Sequence, residues 1–353
     1  MDVSKFMLVA IFCVVDAADI LIISAVLSHS HALYTNVLTE ALAARGHQLV
    51  VLSADALRSS SNITSIHLEG GYDAVGKSIP GFQDTLENFK YVSSSTESSV
   101  GNTDWILKLN VESCRSLLYS EGNIQFYRSY KNAKFDLIIA DVAGPECFLK
   151  YAQVFGNPPI IGYTAFFSRH AMFLSDSENP AYIPHFMSTL TDRMNFWERL
   201  INWFQYKYYD LKRRYWMFPI LEKMSEEFFG FVEPRIEELD TRLSLVLVND
   251  HFSMTQPTPL APSVIPVAGL HIKPVKPLPK DIEKFISEAK HGVIYFSLGS
   301  NFLAIVWRRG RKGCFWMLSL NFSKESSGNT KMTLCLIFLK MLCYGSGSPK
   351  PIF

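Results

Sequence analysis

Two side chains that could share a proton stand at the ends of separate apolar runs. His31 follows the run Ile20–Leu27, and Asp141 ends the run Phe135–Asp141. Continuous apolar runs are typical of strands buried on both faces of a parallel sheet, and ligands bind outside the carboxyl ends of such strands. These positions predict that an imidazole and a carboxylate meet at one edge of a sheet.

Such a pair would suit the deprotonation of a hydroxyl group. His31 also begins a helical pattern, and the positive potential at a helix N-terminus favours the neutral imidazole that a general base needs. A carboxylate bonded to the other ring nitrogen would fix the tautomer and stabilise the imidazolium formed during reaction. From position alone, a helix cap or a surface histidine is the simpler interpretation, and His29 competes for the same role.

Other common catalytic and binding motifs are missing from the sequence. It contains no phosphate-binding glycine motif, no H-E-x-x-H, no paired C-x-x-C and no G-x-S-x-G elbow. The formal net charge is only +1 over 353 residues, whereas a nucleic-acid partner requires a basic excess that neutralises phosphates. The sequence therefore predicts no metal site and no nucleic-acid partner.

The elements that must position His31 and Asp141 alternate along the chain. A helix is predicted over His31–Arg45, with Gly46 as the residue that stops it. Besides the two apolar runs, strands are predicted at Gln48–Ser53, Pro159–Tyr163, Leu243–Asn249 and Val293–Ser297, and a short helix at Glu146–Phe155. Strands that alternate with helices indicate an α/β fold with a Rossmann-like, doubly wound parallel sheet.

A long helical region is predicted over about Met187–Glu238, limited by Pro219 and Pro234. One stripe of this region carries Trp197, Leu200, Ile201, Phe204, Tyr208, Leu211 and Tyr215. We interpret the stripe as a core face. The functional alternatives are a wall of an acceptor pocket and a face that contacts a membrane surface.

The N-terminus has the pattern of a secretory signal. Residues 1–18 carry one lysine and the apolar run Phe6–Val15, which predicts a signal peptide cleaved near Ala17 or Ala18. A buried first strand is the alternative. The sequon at Asn62 is compatible with glycosylation in a secretory lumen.

The six cysteines do not make a disulfide scaffold in a chain of this length. Cys13 lies in the segment expected to be removed, and Cys314, Cys335 and Cys343 lie in an unusual tail. Cys114 and Cys147 remain, and the sequence leaves open one disulfide or two buried thiols. The proline-rich stretch Ser253–Pro279 is typical of a semi-rigid linker, with a domain boundary near residue 275.

Several stretches, in chain order, resemble one protein family. They are Ser30-His31, Leu42-Ala43-Ala44-Arg45-Gly46-His47, Phe135-Asp136-Leu137-Ile138-Ile139-Ala140-Asp141, Asn179-Pro180-Ala181-Tyr182-Ile183-Pro184, Leu247-Val248-Asn249-Asp250-His251-Phe252-Ser253, Val267-Ala268-Gly269-Leu270-His271-Ile272, Lys276-Pro277-Leu278-Pro279-Lys280 and His291-Gly292-Val293-Ile294-Tyr295-Phe296-Ser297-Leu298-Gly299-Ser300-Asn301. Over about residues 20–301 the chain resembles the animal UDP-glycosyltransferases, luminal detoxification enzymes that conjugate lipophilic molecules with a sugar.

The resemblance implies a GT-B arrangement, in which two Rossmann-like domains face a cleft. Residues 19–275 would form the acceptor-binding domain, and residues 276–301 the linker and first strand of the UDP-sugar-binding domain. His31 would be the general base, because its distance from the Arg-Gly-His motif selects it over His29, and Asp141 would orient it. Gly299 and Ser300 would lie beside the donor phosphates.

The resemblance also implies the reaction and its setting. Glucose or glucuronic acid would pass from a UDP-sugar to a small lipophilic hydroxyl compound by direct displacement. UDP-sugar is then a co-substrate, and neither a metal nor another cofactor is required. The expected location is the secretory pathway, in the lumen of the endoplasmic reticulum.

The match stops after Asn301, so the donor domain is expected to be truncated. Residues 302–353 are expected to be a disordered, non-family tail. Back-translation of Ser327–Met332 and Lys340–Pro349, read one base out of phase, permits strings that resemble the family's next segments, which predicts a frameshifted tail. A non-catalytic acceptor module that binds lipophiles or associates with full-length relatives is then the alternative function, and a product that does not fold stably is a third.

Overall fold

The structure, a computed structural model, describes residues 17–79, 99–166, 179–254 and 259–288. Residues up to 74 and 103–271 form one unit by their contacts, and residues 75–102 and those from 272 onward form another. Most of the expected signal peptide, the expected strand Val293–Ser297, Gly299, Ser300 and the tail lie outside the described residues. The domain limits at residues 275 and 301 stay predictions.

A seven-stranded sheet lies entirely in the first unit. Its strands are β1 (Asp19–Ser24), β2 (Gln48–Ser53), β3 (Ile63–His67), β4 (Leu137–Asp141), β5 (Ile160–Thr164), β6 (Leu243–Val248) and β7 (Val264–Pro266). Their order is β3-β2-β1-β4-β5-β6-β7, and every neighbouring pair is parallel. The expected Rossmann-like parallel sheet is confirmed, and its strand order reverses between β1 and β4.

Helices cover both faces of this sheet. The described helices that lie wholly or partly in this unit are α1 (His29–Ala44), α2 (Gly71–Ser78), α3 (Ser99–Leu118), α4 (Glu121–Tyr130), α5 (Tyr151–Val154), α6 (Phe196–Lys212), α7 (Phe218–Phe229) and α8 (Ile236–Asp240). The helix α9 (Lys280–Ser287) belongs to the other unit. A 3-10 helix, Glu146–Lys150, precedes α5, and a π-helical turn, Arg213–Met217, joins α6 to α7.

Side chains of β1 alternate between two hydrophobic clusters. Leu21 and Ile23 pack with residues of α3, α4 and α7, whereas Ile20 and Ile22 pack with Tyr34 of α1. Burial on both faces explains why the run is apolar without interruption. The helix α1 then ends before Gly46, whose φ of +94° lies in the left-handed region that favours glycine.

The expected linker Ser253–Pro279 is partly wrong, because Val264–Pro266 forms β7 and pairs with β6. Pro266 is tolerated there because β7 is the last strand of the sheet and its proline needs no further partner. The sequence analysis does not predict β3, α3 or α4, because the apolar residues of these elements follow no long regular pattern.

Cys114 and Cys147 form a disulfide, which settles the alternative that the sequence leaves open. The bond joins α3 to the 3-10 helix that follows β4, across a separation of 33 residues. Closing a loop of this length restricts the unfolded chain and stabilises the fold by about 4 kcal/mol in the chain-entropy model. The 3-10 helix is thereby fixed close behind Asp141.

The interpretation of the aromatic stripe as a core face is wrong. In α6, Trp197 is 68% exposed and Phe204 is 57% exposed. The buried face of this helix carries Asn202, Gln205, Tyr206 and Tyr209 instead. The side of the helix that faces the protein therefore combines two amides with two tyrosine rings, and most of the aromatic stripe faces outward.

Asn202 explains this orientation, because its amide satisfies several backbone groups. Its Oδ1 accepts a hydrogen bond from the backbone N–H of His185 at 2.7 Å, and its Nδ2 donates to the carbonyls of Pro180 and Ile183 at 2.8 and 2.7 Å. Asn195 and Glu198 form a capping box at the start of α6. Turning the helix to bury the stripe would leave these backbone groups unpaired, at a cost of about 1–3 kcal/mol for each buried group.

His185 lies buried beside α6 and makes stability depend on pH. Burial lowers its pKa from 6.5 to about 4. Between these values the unfolded chain binds a proton that the folded chain does not, so the free energy of unfolding should fall as the pH falls from 6.5 to 4. The loss should reach about 3 kcal/mol at pH 4 and be absent at pH 7.

Urea denaturation of the parent chain and of His185→Gln at pH 7, 5.5 and 4.5 measures this contribution. The variant is expected to lose less stability than the parent over the same interval, because glutamine does not titrate. Equal slopes for the two proteins would show that His185 does not carry the dependence.

Candidate active site

His31 and Asp141 meet where the strand order reverses. His31 lies in the first turn of α1, just after β1, and Asp141 is the last residue of β4. Their side chains are hydrogen-bonded, with 2.6 Å between Nδ1 and Oδ2. A carboxylate only accepts, so Nδ1 carries a proton, and in the neutral imidazole Nε2 is then the nitrogen with the free lone pair.

Both side chains are buried, and each has a defined surrounding. The other oxygen of Asp141, Oδ1, accepts from the backbone N–H of Ala143 at 3.0 Å. Nε2 of His31 is buried and has no hydrogen-bond partner among the described residues. Phe166 packs edge-on against the imidazole, with 4.7 Å between the ring centroids. The arrangement is that of an oriented imidazole with an aromatic ring packed edge-on against it.

A buried hydroxyl network fixes the turn of α1 that carries His31. Oγ1 of Thr35 contacts Oγ of Ser24 at 2.9 Å and the hydroxyl of Tyr163 at 2.5 Å, and donates to the carbonyl of His31. Tyr163 pairs with Asp141 across β5 and β4. Burial and the charge of Asp141 raise the pKa of Tyr163 far above its ordinary range, so its hydroxyl stays protonated.

A second histidine–carboxylate pair lies near the same sheet edge. Nδ1 of His29 lies 2.7 Å from Oδ1 of Asp55, which follows β2. The hydroxyl of Tyr72 donates to Oδ2 of Asp55, and its ring stacks on His29. The side chain of His29 is 66% exposed, whereas that of His31 is 1% exposed. Sequence reasoning missed Asp55. Its position just after the predicted strand β2 is comparable to that of Asp141 at the end of β4, and this position was the signal that could have identified it.

The backbone after β4 approaches its neighbours closely. A Cβ on Gly144 would lie 3.0 Å from Cγ2 of Val26 and 3.2 Å from the carbonyl oxygen of Asp141. Asn110 of α3 donates to the carbonyl of Gly144 at 3.3 Å. Glycine at this position therefore lets the turn after Asp141 approach Val26, in the segment that follows β1.

A buried charge cluster holds the 3-10 helix beyond this turn. The guanidinium of Arg213, in the π-helical turn, bonds Glu146 at 3.2 Å and also bonds Asp240 of α8. Burial raises the pKa of Glu146 while the charge of Arg213 opposes it. The cluster ties α6 and α8 to the segment that follows the candidate site.

One small cavity borders the candidate site in the described part of the chain. A cavity of about 20 Å³ borders Asp141, Gly144, Glu146 and Asp240, which is room for roughly one water molecule. A wider depression of about 380 Å³ is lined by Arg115, Pro219, Ile220, Lys223, Met224 and Glu227 and shares no residue with the site. Neither space is an acceptor pocket next to His31.

The part of the chain that the structure describes lacks two further features. It contains no group of three or more histidine, cysteine, aspartate or glutamate side chains placed to hold a metal ion. None of its helices combines the length and apolar character needed to cross a membrane. The expectation that the reaction needs no metal stays a prediction. Asn62, which carries the sequon, lies half-buried in the turn before β3.

These features define an α/β protein with a candidate base at the topological switch point of a Rossmann-like sheet. Residues 18–309 match the family model described as "UDP-glucoronosyl and UDP-glucosyl transferase". The chain therefore belongs to the UDP-glycosyltransferase family, as its sequence motifs indicate.

Similar curated proteins carry both names of that family. UDP-glucosyltransferase 2 of Dactylopius coccus is 31% identical over 307 residues, which cover 84% of this chain and 56% of that protein. UDP-glucuronosyltransferase 2B7 of Homo sapiens is 30% identical over 292 residues, which cover 77% of this chain and 53% of that protein. The chain spans about half the length of the curated relatives it matches.

Solved structures show only a weak likeness. TcCGT1 in complex with UDP is 13% identical, with a TM-score of 0.41 over 81% of this chain and 58% of that chain. A glycotransferase of kitacinnamycin is 14% identical, with a TM-score of 0.40 over 81% of this chain and 59% of that chain. Scores this low carry no argument, so the fold rests on the strand order of this chain.

Proposed function

We propose that this chain supplies the acceptor half of a UDP-glycosyltransferase, which moves glucose or glucuronic acid from a UDP-sugar to a small lipophilic hydroxyl compound. The observation that carries the proposal is the buried pair of His31 and Asp141 in a chain of this family. Residues 276–301 would form the start of the donor side, with Gly299 and Ser300 beside the donor phosphates.

The proposed reaction is a single displacement. Nε2 of His31 takes the proton of the acceptor hydroxyl, whose oxygen forms a bond to the anomeric carbon of the sugar. The bond from that carbon to the phosphate oxygen breaks, and UDP leaves with the electron pair. Asp141 keeps Nδ1 protonated and stabilises the imidazolium until the proton is lost to solvent.

Phe166 would control the approach of the acceptor to His31. Its ring meets the imidazole edge-on and is 43% exposed, and exposed side chains change rotamer within nanoseconds. A hydroxyl compound reaches Nε2 once this ring turns aside. An aromatic ring at this place offers apolar contact area to a lipophilic acceptor.

The secretory location belongs to the same proposal. The disulfide of Cys114 and Cys147 supports it, because disulfides persist in oxidising compartments. The sequon at Asn62 is consistent with it. We place the protein in the lumen of the endoplasmic reticulum, where an exposed aromatic surface on α6 would contact a membrane that holds lipophilic acceptors.

A non-catalytic acceptor module is the second candidate function. The observation in its favour is that the unit ending at residue 271 contains a whole sheet with cores on both faces. Such a module could bind lipophiles or associate with full-length relatives without transferring sugar.

One assay separates the two functions. The chain is incubated with radiolabelled UDP-glucose or UDP-glucuronic acid and a set of phenols, and both transfer and phenol binding are measured. Transfer of the label supports the first function. Binding without transfer supports the second, and the absence of both contradicts each of them.

A further inference from the structure

Glu146 carries a largely buried carboxylate near the candidate site, and the proposed reaction assigns it no role. It begins the 3-10 helix that follows Asp141, and both residues border the cavity of about 20 Å³. On the basis of the proposed function, in which His31 is the general base, we propose that Glu146 is a positioning residue for the pair of His31 and Asp141. It would act by fixing the turn between Asp141 and the 3-10 helix.

The turn at residues 142–145 holds Asp141 directly. The backbone N–H of Ala143 donates to Oδ1 of Asp141 at 3.0 Å, and the N–H of Gly144 donates to its carbonyl oxygen at 3.2 Å. The other carboxylate oxygen, Oδ2, accepts from Nδ1 of His31. Displacement of the turn therefore moves the carboxylate that orients the imidazole, and a misplacement of about 1 Å can lower a rate about 10²-fold.

Arg213 connects Glu146 to a distant part of the chain. Its guanidinium donates to Oε1 of Glu146 at 3.2 Å and also to Oδ2 of Asp240 in α8. The side chains of Arg213 and Glu146 are each 12% exposed, and that of Asp240 is 8% exposed. Ion pairs in such surroundings are little screened, and removal of one partner leaves a charge uncompensated. Glu146 is therefore held in place by a bond that is costly to break.

The local shape of the helix brings Arg213 to this place. Arg213 begins the π-helical turn between α6 and α7, and π-helical turns within helices are frequent at functional sites. The side chain of the next residue, Arg214, is 61% exposed and pairs with Glu237 of α8 at 2.6 Å. Two adjacent arginines thus pair with α8, and Arg213 also reaches the segment that follows Asp141.

A separate set of contacts ties the same turn to α3. Nδ2 of Asn110 donates to the carbonyl of Gly144 at 3.3 Å, and Cys114 forms its disulfide with Cys147. Glu146 adds a connection to the π-helical turn and, through Arg213, to α8. Because these are different elements from α3, the bond of Glu146 restrains the turn in a way that the contacts with α3 do not duplicate.

Nuclear magnetic resonance tests the proposal with the 353-residue chain, independently of any transferase activity. The probe is the proton on Nδ1 of His31, observed after labelling of the histidines with ¹⁵N and assigned by its loss in His31→Gln. Glu146→Ala should shift this resonance or broaden it beyond detection, because the hydrogen bond to Asp141 is no longer held in one geometry. Glu146→Gln can still accept a hydrogen bond from Arg213, although a weaker one, and should cause a smaller shift.

The kinetics of sugar transfer provide the second measurement. Glu146→Ala should lower kcat about 10²-fold, and Glu146→Gln should lower it less. The KM for the acceptor should stay nearly unchanged, because Glu146 acts through Asp141 and not on the acceptor. If the parent chain transfers no sugar, the proposed function fails, and the resonance of His31 still decides the role of Glu146.

Two controls make the outcome specific. Glu237→Ala removes the exposed carboxylate that pairs with Arg214, and it should leave the resonance and kcat unchanged. Arg213→Met should reproduce the effect of Glu146→Ala, and the double variant should lose no more than either single variant, since the two residues act as one unit. Urea denaturation gives the folded fraction of each variant, to which kcat is referred.

Three results would overturn the proposal. Folded Glu146→Ala could show an unchanged resonance and an unchanged kcat, or it could show a raised KM with an unchanged kcat. Alternatively, Glu237→Ala could shift the resonance as much as Glu146→Ala does, which would show a general loosening of the fold. If Glu146→Ala does not fold, the same comparisons are made with Glu146→Gln.

Discussion

Replacing His31 by Gln is expected to lower kcat by about 10³-fold and to leave acceptor binding nearly unchanged. Glutamine can still bond Asp141 but offers no nitrogen that accepts a proton, so the variant loses the contribution of a general base. Rates are measured with radiolabelled UDP-sugar, and acceptor affinity by fluorescence. The substitution is made in this chain and in a fusion of residues 18–301 to the donor half of an active relative.

His29 provides the matched control for this prediction. It pairs with Asp55 as His31 pairs with Asp141, at distances of 2.7 and 2.6 Å. His29→Gln should keep kcat within a small factor of the parent, because the base is assigned to His31. Asp141→Asn should lower kcat by about 10²-fold, since the amide no longer stabilises the imidazolium. A large loss in His29→Gln with little loss in His31→Gln would exchange the two roles.

The first half of the sheet could be predicted because its sequence permits few alternatives. The run at β1 is apolar at every position, and only burial on both faces accommodates it. Gly46 marks the end of α1, since a left-handed residue is needed there. Parallel strands align their carboxyl ends, so the meeting of His31 with Asp141 followed from the two runs.

The orientation of α6 could not be predicted in the same way. Its apolar spacing shows that a face exists, but not what covers that face. Burial of the opposite face depends on Asn202, whose partners lie at Pro180, Ile183 and His185. Periodicity does not reveal contacts of this kind. The same limit applies to Thr35, which looks like an ordinary helix residue and yet joins β1, β5 and α1.

Buried charges were also invisible to sequence patterns, and Lys150 is the most deeply buried of them. It follows Asp141 by nine residues, at the end of the 3-10 helix, and is fully buried. Its ammonium donates to the carbonyl of Pro234 at 2.6 Å and to that of Val232, and pairs with Glu222 at 2.8 Å. Three acceptors that converge on one cation explain why it tolerates burial.

Lys150→Met is expected to lower the free energy of unfolding by about 3–5 kcal/mol, because methionine fills the space but leaves the carboxylate of Glu222 without its cation. The melting temperature should fall by about 10 °C. Urea denaturation and calorimetry measure the change. Lys207→Met is the matched control: its side chain is 53% exposed and its ion pair is 3.8 Å long, so the loss should stay within about 0.5 kcal/mol.

A double variant distinguishes the uncompensated charge from lost packing. Glu222 also accepts from the backbone N–H of Ile236, and glutamine can keep that bond without a charge. Lys150→Met with Glu222→Gln should therefore be more stable than Lys150→Met alone, although the carbonyls of Val232 and Pro234 stay unpaired. If the second substitution adds to the loss, the charge argument is wrong and the stability that Lys150 supplies comes from its packing and its carbonyl bonds.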